Sequence, residues 1–456
     1  MMGFLNSTLA NATQRFMSYS LGEGILENQK QVFNISLVLH VAIAVATSLL
    51  LLAIMNPMFS YWLSIPPDRI LSAKIIYYAL IASTVLTIIN VPYDAMLNAH
   101  ENMKYYSYIS ILDASLRLGI AWLVVFADTD RLILYGSMMA AIPLITLTIT
   151  KFYCHRHYRE CVIAPKRYWS VRKIKEIATF SGWNFLTAVS SLLTFQGIGL
   201  VLNHFFGSVL NAAQGVANQL NGYMSSFSLN LMKAVNPVIV KKAGSRNIDS
   251  MNAISMSSAK LSTVLIMLFA IPCMVEIDYI LELWLKVVPQ WTAPFCVMII
   301  TTTIITEITA PLSTAIYADG NIKHYAIYKS IANILPLACT WVAFELGGNP
   351  YWLYIPMITI WAVGGNIVIM YYSARDCGLD IKAFIRVVLI PVMLVAAFTL
   401  TAGFITRLIL TDGFVRLCIC IAVTTTTLLC STWQFGLAPN EREEVRLLVA
   451  RFRQRA

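Results

Sequence analysis

Apolar runs of about twenty residues, the length of a bilayer-spanning helix, recur from one end of the chain to the other. They fall at 32–55, 70–91, 105–127, 131–151, 174–202, 208–238, 255–277, 291–316, 325–345, 352–373, 383–408 and 413–435. The stretch before them reads as the inner part of one more span. Connections are short, apart from a basic stretch at 151–175. The pattern predicts an all-α polytopic membrane protein.

Charge placement orients these spans. Cytoplasmic loops carry an excess of Lys and Arg. With the 151–175 connection placed in the cytoplasm (Lys151, Arg156, Arg159, Lys166, Arg167, Arg172, Lys173 and Lys175), alternate connections should be basic, and they are. They hold Lys30, then Lys104, then Lys241, Lys242 and Arg246, then Lys323, then Arg375, Lys382 and Arg386, then the arginine-rich tail. The opposite set holds Arg69, Arg131, Lys286, Arg407 and Arg416, often beside acids. The net charge of +10 is thus an orientation signal, and nucleic acid is not needed as a partner.

Composition agrees. Of 456 residues, 58% are hydrophobic and 12% charged, against roughly 25% charged in soluble domains. A soluble core cannot hide that much apolar surface beneath a polar skin. The nine cysteines are scattered through apolar runs and make no disulfide framework.

The chain also repeats itself. Pro92, Ala99, Asn102, Lys104 and Tyr106 recur as Pro311, Ala318, Asn321, Lys323 and Tyr325, every pair 219 residues apart. Gly3 and Gly222 share that separation, while "YWLSIPP" from Tyr61 meets "LWLKVVP" from Leu283 at 222. Lys104 and Lys323 fall on one side of the membrane, so the repeat is parallel, as in transporters whose halves move about a central site. The predicted organisation is an N-terminal lobe at 1–151, a basic cytoplasmic linker at 152–173 and a C-terminal lobe at 174–373. Two further helices at 374–436 and a basic tail at 437–456 follow. The second copy begins near Ile174, and its equivalent would start about 45 residues before Met1. One helix and part of a second are therefore expected to be missing.

Ionisable residues within spans are costly, roughly 2.5–3.5 kcal/mol at the bilayer centre, and mark candidate chemistry. Asp113 and Arg117 lie one turn apart on one helix face, as a packing pair or as a gate. Glu307 stands alone in "TTTIITEITAP" and is a candidate for proton or sodium coupling. Lys260 and Lys329 lie near span ends and could snorkel. Two helices are too polar to face lipid. One holds Asn11, Gln14 and Arg15; its repeat partner holds Asn218, Asn221, Asn230 and Lys233. These helices are expected to line a hydrated cavity in which amides meet sugar hydroxyls and cations meet phosphate.

Enzyme signals fail. "CHRHYREC", Cys154 to Cys161, matches no common zinc spacing, and "DTD" at Asp128 to Asp130 lies on the outer side. No phosphate-cradling GxxxxGK[ST] loop exists. No catalytic residue, metal or cofactor is assigned. The tail "NEREEVRLLVARFRQR" reads as an amphipathic helix on anionic lipid.

Pro92-Tyr93-Asp94-Ala95 followed by Ala99-His100-Glu101-Asn102-Met103 resembles a hallmark of the bacterial polysaccharide-biosynthesis branch of the multidrug, oligosaccharidyl-lipid and polysaccharide exporter superfamily. There the fourth span ends in Pro-Tyr-x-Ala and an Ala-x-Glu-x-Met-like turn follows. "NATQRF" at Asn11 to Phe16 resembles members from lipopolysaccharide and capsule clusters. The resemblance implies a MATE-like pair of six-helix lobes plus two helices, with the first, second, seventh and eighth helices lining a cavity. It implies flipping of undecaprenyl-pyrophosphate-linked oligosaccharide across the bacterial inner membrane. Arg15, Arg117 and Lys233 would then contact phosphate or acidic sugars, and Asp113 and Glu307 would gate or couple H+ or Na+. A multidrug exporter of the same fold is the alternative, and a membrane-embedded sugar polymerase or ligase, which needs a large outer loop, a weaker one.

Overall fold

The computed structural model describes residues 2–62, 65–127, 130–438, 441–443 and 446, with 2–9 and 61–62 as backbone alone. Among the described residues the fold is all-helical. The helices are α1 (Met2–Glu23), α2 (Leu26–Pro57), α3 (Ile70–Ala99), α4 (Met103–Val125), α5 (Arg131–His157), α6 (Val171–Phe206) and α7 (Ser208–Gly244). Then come α8 (Ile248–Val275), α9 (Ile277–Trp284), α10 (Thr292–Glu307), α11 (Ala310–Asp319) and α12 (Lys323–Glu345). The last three are α13 (Pro350–Cys377), α14 (Ile381–Ile409) and α15 (Phe414–Gly436). Ten helices are long and apolar enough to cross a membrane, and α10 with α11, bent by 43°, makes an eleventh. This is a multi-pass membrane protein. The helix α7 is not among the ten, because amides and hydroxyls lower its hydropathy.

Contacts divide the chain into two units: Met1–Phe185 with Val240–Arg246, and Leu186–Ile239 with Asn247–Ala456. In the first, α3 is central and packs on α1, α2, α4 and α5. Its C-terminal half carries the burial, through Val91, Pro92, Tyr93, Met96, Leu97 and Ala99. In the second, α8 is central and packs on α10, α11, α14 and α15. Its Ser255, Ser258, Ala259, Ser262 and Ala270 are buried, and such small side chains let neighbouring backbones come close where lipid offers no hydrophobic drive.

The duplicated stretch has a conformational meaning. Glu101 (φ 57°) and Gly320 (φ 97°), again 219 apart, both take the left-handed conformation that ends a helix. Around Glu101 the Asn102 N–H donates to Leu97 O and the Glu101 N–H to Asn98 O; this double bond satisfies two carbonyls that a helix end leaves open. Asn102 then starts α4, its Oδ1 accepting from Tyr105 N–H at 3.2 Å, while its Nδ2 donates to the hydroxyls of Tyr153 and Tyr158. The repeat therefore writes one helix–elbow–helix joint twice. The copies differ upstream: α3 runs unbroken through Pro92, whereas α10 and α11 break between Glu307 and Ala310.

Most of the basic tail lies outside the described residues. The part described is tied down by Glu441, which accepts from Ser257 Oγ at 3.0 Å and from Lys260 Nζ at 2.5 Å. Lys260 is therefore paired inside the second unit and does not snorkel. Burial works against the charge on Glu441, but the Lys260 and Ala438 N–H bonds outweigh it and hold the carboxyl below its ordinary range. A depressed carboxyl stabilises docking at neutral pH and loses that contribution as pH falls through its folded-state range. Hydrogen exchange at residues 441–443 should thus show protection relative to Glu441→Gln at neutral pH, with the difference vanishing in acid.

Candidate functional site

Helix α7 sorts its residues by face. Ala213, Ala217, Leu220, Met224 and Ser228 are buried and join the core of the second unit, while Gln219, Tyr223, Ser226, Asn230 and Lys233 are exposed. The exposed set advances by alternating steps of four and three, so it forms one stripe along the helix. In a membrane span, a stripe of amide, hydroxyl and ammonium groups cannot be left in hydrocarbon. Within it Gln219 Nε2 donates to the Tyr223 hydroxyl at 3.2 Å and Ser226 Oγ to Tyr223 O at 2.6 Å. Asn230 and Lys233, two residues singled out from sequence, lie on this stripe. Asn218 and Asn221 are half-buried beside it: Asn218 accepts from Gln214 Nε2 at 3.2 Å, and Asn221 accepts from Thr303 Oγ1.

Behind the stripe sits Glu307. Its carboxylate is buried and accepts from Ser228 Oγ, on the inner face of α7. Glu307 is the last residue of α10. Pro311 has no N–H to return to the Glu307 carbonyl, so the ladder fails there. Asn366 of α13 fills the gap, donating from Nδ2 to Ile305 O at 2.6 Å and accepting from Thr309 Oγ1 at 2.7 Å. A buried carboxylate thus stands at the break between α10 and α11.

The neighbouring Gly365 is met by a lysine. A Cβ built there would stand 2.4 Å from Lys329 Nζ. Lys329 thus lies against α13 inside the second unit, and no salt bridge joins it among the described residues. From sequence it lies near a span end, where it could snorkel. The signal that could have found it is the adjacent Gly364–Gly365 pair, which opens room for a long side chain.

In the first unit, Arg15 of α1 is 7% exposed, and its guanidinium lies over the rings of Phe16, Tyr19 and Phe180 at 4.5–5.2 Å. Gln14 beside it is half-buried and Asn11 exposed. Asp113 and Arg117 form a two-pronged pair on α4 at 2.7 and 3.1 Å, with side chains 34% and 55% exposed. They meet each other. Of the "CHRHYREC" side chains, Cys154 and Cys161 meet each other, and the histidines are engaged by rings. His155 packs edge-on to Phe33 and Tyr93, and His157 stacks on Tyr153. No cluster of three His, Cys, Asp or Glu suited to a metal exists among the described residues.

Residues 1–123 match the family model MatE. A MATE protein solved in complex with MaD3S superposes with a TM-score of 0.72 at 13% identity, over 83% of this chain and 86% of that one. An outward-facing multidrug resistance MATE family transporter of the MOP superfamily gives 0.70 at 14%, over 83% and 86%. A MOP superfamily transporter from Pyrococcus furiosus, described as having a binding pocket of reversed polarity that suggests a different function, gives 0.71 at 13%, over 84% and 85%. No curated protein matches significantly. The all-helical architecture built here is therefore that of the MATE transporters.

Proposed function

We propose that this chain is a membrane transporter that flips a lipid-linked oligosaccharide, carried on undecaprenyl pyrophosphate, across a bacterial inner membrane by alternating access. The observation that carries the reading is the exposed stripe on α7. Its amides and hydroxyls suit sugar hydroxyls, and Lys233 at its end suits a pyrophosphate oxygen. Arg15, Arg117, Asn11, Gln14, Asn218 and Asn221 are the further candidates for contacts to the sugar and phosphate groups. Glu307, behind the stripe, would couple movement to H+ or Na+, with Asp113 as a gate.

Multidrug export is the second reading, and Glu307 is the residue that favours it, since a buried carboxylate suits a cationic drug. The two readings separate in proteoliposomes. A fluorescent undecaprenyl-pyrophosphate glycan confined to one leaflet should equilibrate faster with the protein than without it. Lys233→Ala should slow this about tenfold, the value of one charge-assisted hydrogen bond, and Glu307→Gln should remove its dependence on an ion gradient. Export of a cationic dye with no movement of the lipid would overturn the flippase reading.

A further inference from the structure

Past the end of α15 the chain is tied to α8 through one side chain. The Glu441 carboxylate accepts from Ser257 Oγ at 3.0 Å, from Lys260 Nζ at 2.5 Å and from the Ala438 N–H of its own segment at 2.8 Å. Ser257 and Lys260 stand three residues apart on one face of α8. Lys260 is 4% exposed, whereas Ser257 is open to the surface. Arg442 bonds back to Leu437 O and Gln434 O at the end of α15, and Arg446 lies over the Trp433 ring at 5.7 Å. Among the described residues, Glu441 alone bonds the tail to α8, and Lys260 pairs with no other acid. Without Glu441 a buried ammonium would lack its counter-charge, a costly state that calls for another anion.

We infer that Ser257 and Lys260 form a binding site for the phosphate of an anionic lipid headgroup, a site that Glu441 fills when the tail is docked. The carboxylate stands in for the phosphate, since both are anions that accept from an ammonium and a hydroxyl at once. Depth selects a lipid. The apolar run of α8 begins at 255, so Ser257 and Lys260 lie in its first two turns, at the edge of the hydrocarbon. Trp433, near the end of α15, is a residue type that favours the same level. Charge drives the exchange. Residues 437–456 hold five arginines against three glutamates, so an anionic leaflet draws this segment onto its surface and offers a phosphate to the vacated site. On a neutral surface neither force acts, and Glu441 stays in place.

The test reads lipid binding and is independent of what the protein transports. Full-length protein in detergent is titrated with dioleoylphosphatidylglycerol, with dioleoylphosphatidylcholine as the neutral control, and bound lipid is counted by native mass spectrometry. Glu441→Ala, which vacates the site, should bind phosphatidylglycerol about tenfold more tightly than the parent, because an occupied site scales apparent affinity by its vacant fraction. Adding Lys260→Gln should remove that gain, and phosphatidylcholine should show none. In the parent, phosphatidylglycerol should speed hydrogen exchange at residues 441–443 as it displaces Glu441. Gel filtration and melting temperature confirm that the variants fold. A Glu441→Ala variant that binds no more tightly than the parent, or a gain that survives Lys260→Gln, would overturn the site. If inorganic phosphate at the same concentration speeds exchange at 441–443 as well as the lipid does, the ligand is free phosphate and the headgroup assignment fails.

Discussion

A valine at Gly22 is expected to lower the melting temperature and to stall any transport cycle that needs the ends of α1 and α7 in contact. A Cβ at Gly22 would stand 2.2 Å from Lys241 O, and one at Gly244 would stand 2.2 Å from Tyr19 O. Gly22 and Gly244 are 222 residues apart, and so are Tyr19 and Lys241. The crossing is therefore self-complementary, each helix offering its glycine to the carbonyl three residues upstream of the other's. The atoms in the way are backbone, which cannot rotate aside as a side chain can. Overpacking typically costs about 1–3 kcal/mol, and a main-chain collision belongs at the upper end. Separating the helices would also strain the Lys241–Glu101 pair, now at 2.6 Å, which ties the last turn of α7 to the elbow after α3. The control is Gly119→Ala in α4, where a Cβ meets nothing within 4 Å. It should be neutral or stabilising by up to about 1 kcal/mol, because alanine is the better helix former. Thermal unfolding of both variants in one detergent decides the matter. Equal melting temperatures would mean that the crossing is not held by glycine.

The crossing also shows what the amino-acid pattern could and could not disclose. Spans were readable because lipid imposes one simple rule, a long apolar run. The repeat was readable because left-handed elbows favour particular residues, here Glu101 followed by Asn102 and Gly320 followed by Asn321. The polar helices α1 and α7 were readable because hydrocarbon forbids them. Which face each side chain takes was not readable. Asp113 and Arg117 were found by spacing, but their exposure on α4 depends on what packs there. Lys260 looked like an interfacial lysine because its partner, Glu441, comes from a tail 181 residues away. The break after Glu307 was hidden for a related reason. Pro92 and Pro311 are repeat mates, yet only the second helix breaks there, and the compensating Asn366 arrives from α13. Distance along the chain, more than chemistry, set the limit.

Replacing Arg416 by methionine should be among the most destabilising single changes in the second unit. Glu276, at the junction of α8 and α9, has a side chain 0% exposed and receives two bonds on Oε2, from Arg416 Nη2 at 2.7 Å and Nε at 3.1 Å. Close by, Arg407 donates to Val275 O at 2.8 Å and to Asp278 at 2.9 Å. These two arginines pin α14 and α15 to the central helix α8. Removing Arg416 would strand a buried carboxylate, a loss of about 3–5 kcal/mol. Arg416→Lys should recover only part of it, since an ammonium cannot reproduce the two-pronged guanidinium contact. Asp412 also touches Arg416, but its side chain is 82% exposed; Asp412→Ala should therefore cost about 0–1 kcal/mol. The double change Glu276→Leu with Arg416→Met removes both charges and should restore stability to near the parent level or above it. Melting temperatures of the four variants would rank as Arg416→Met lowest, then Arg416→Lys, with Asp412→Ala and the double variant near the parent. If the double variant melts as low as Arg416→Met, the pair holds the extra helices by shape, and the stranded-charge account is wrong.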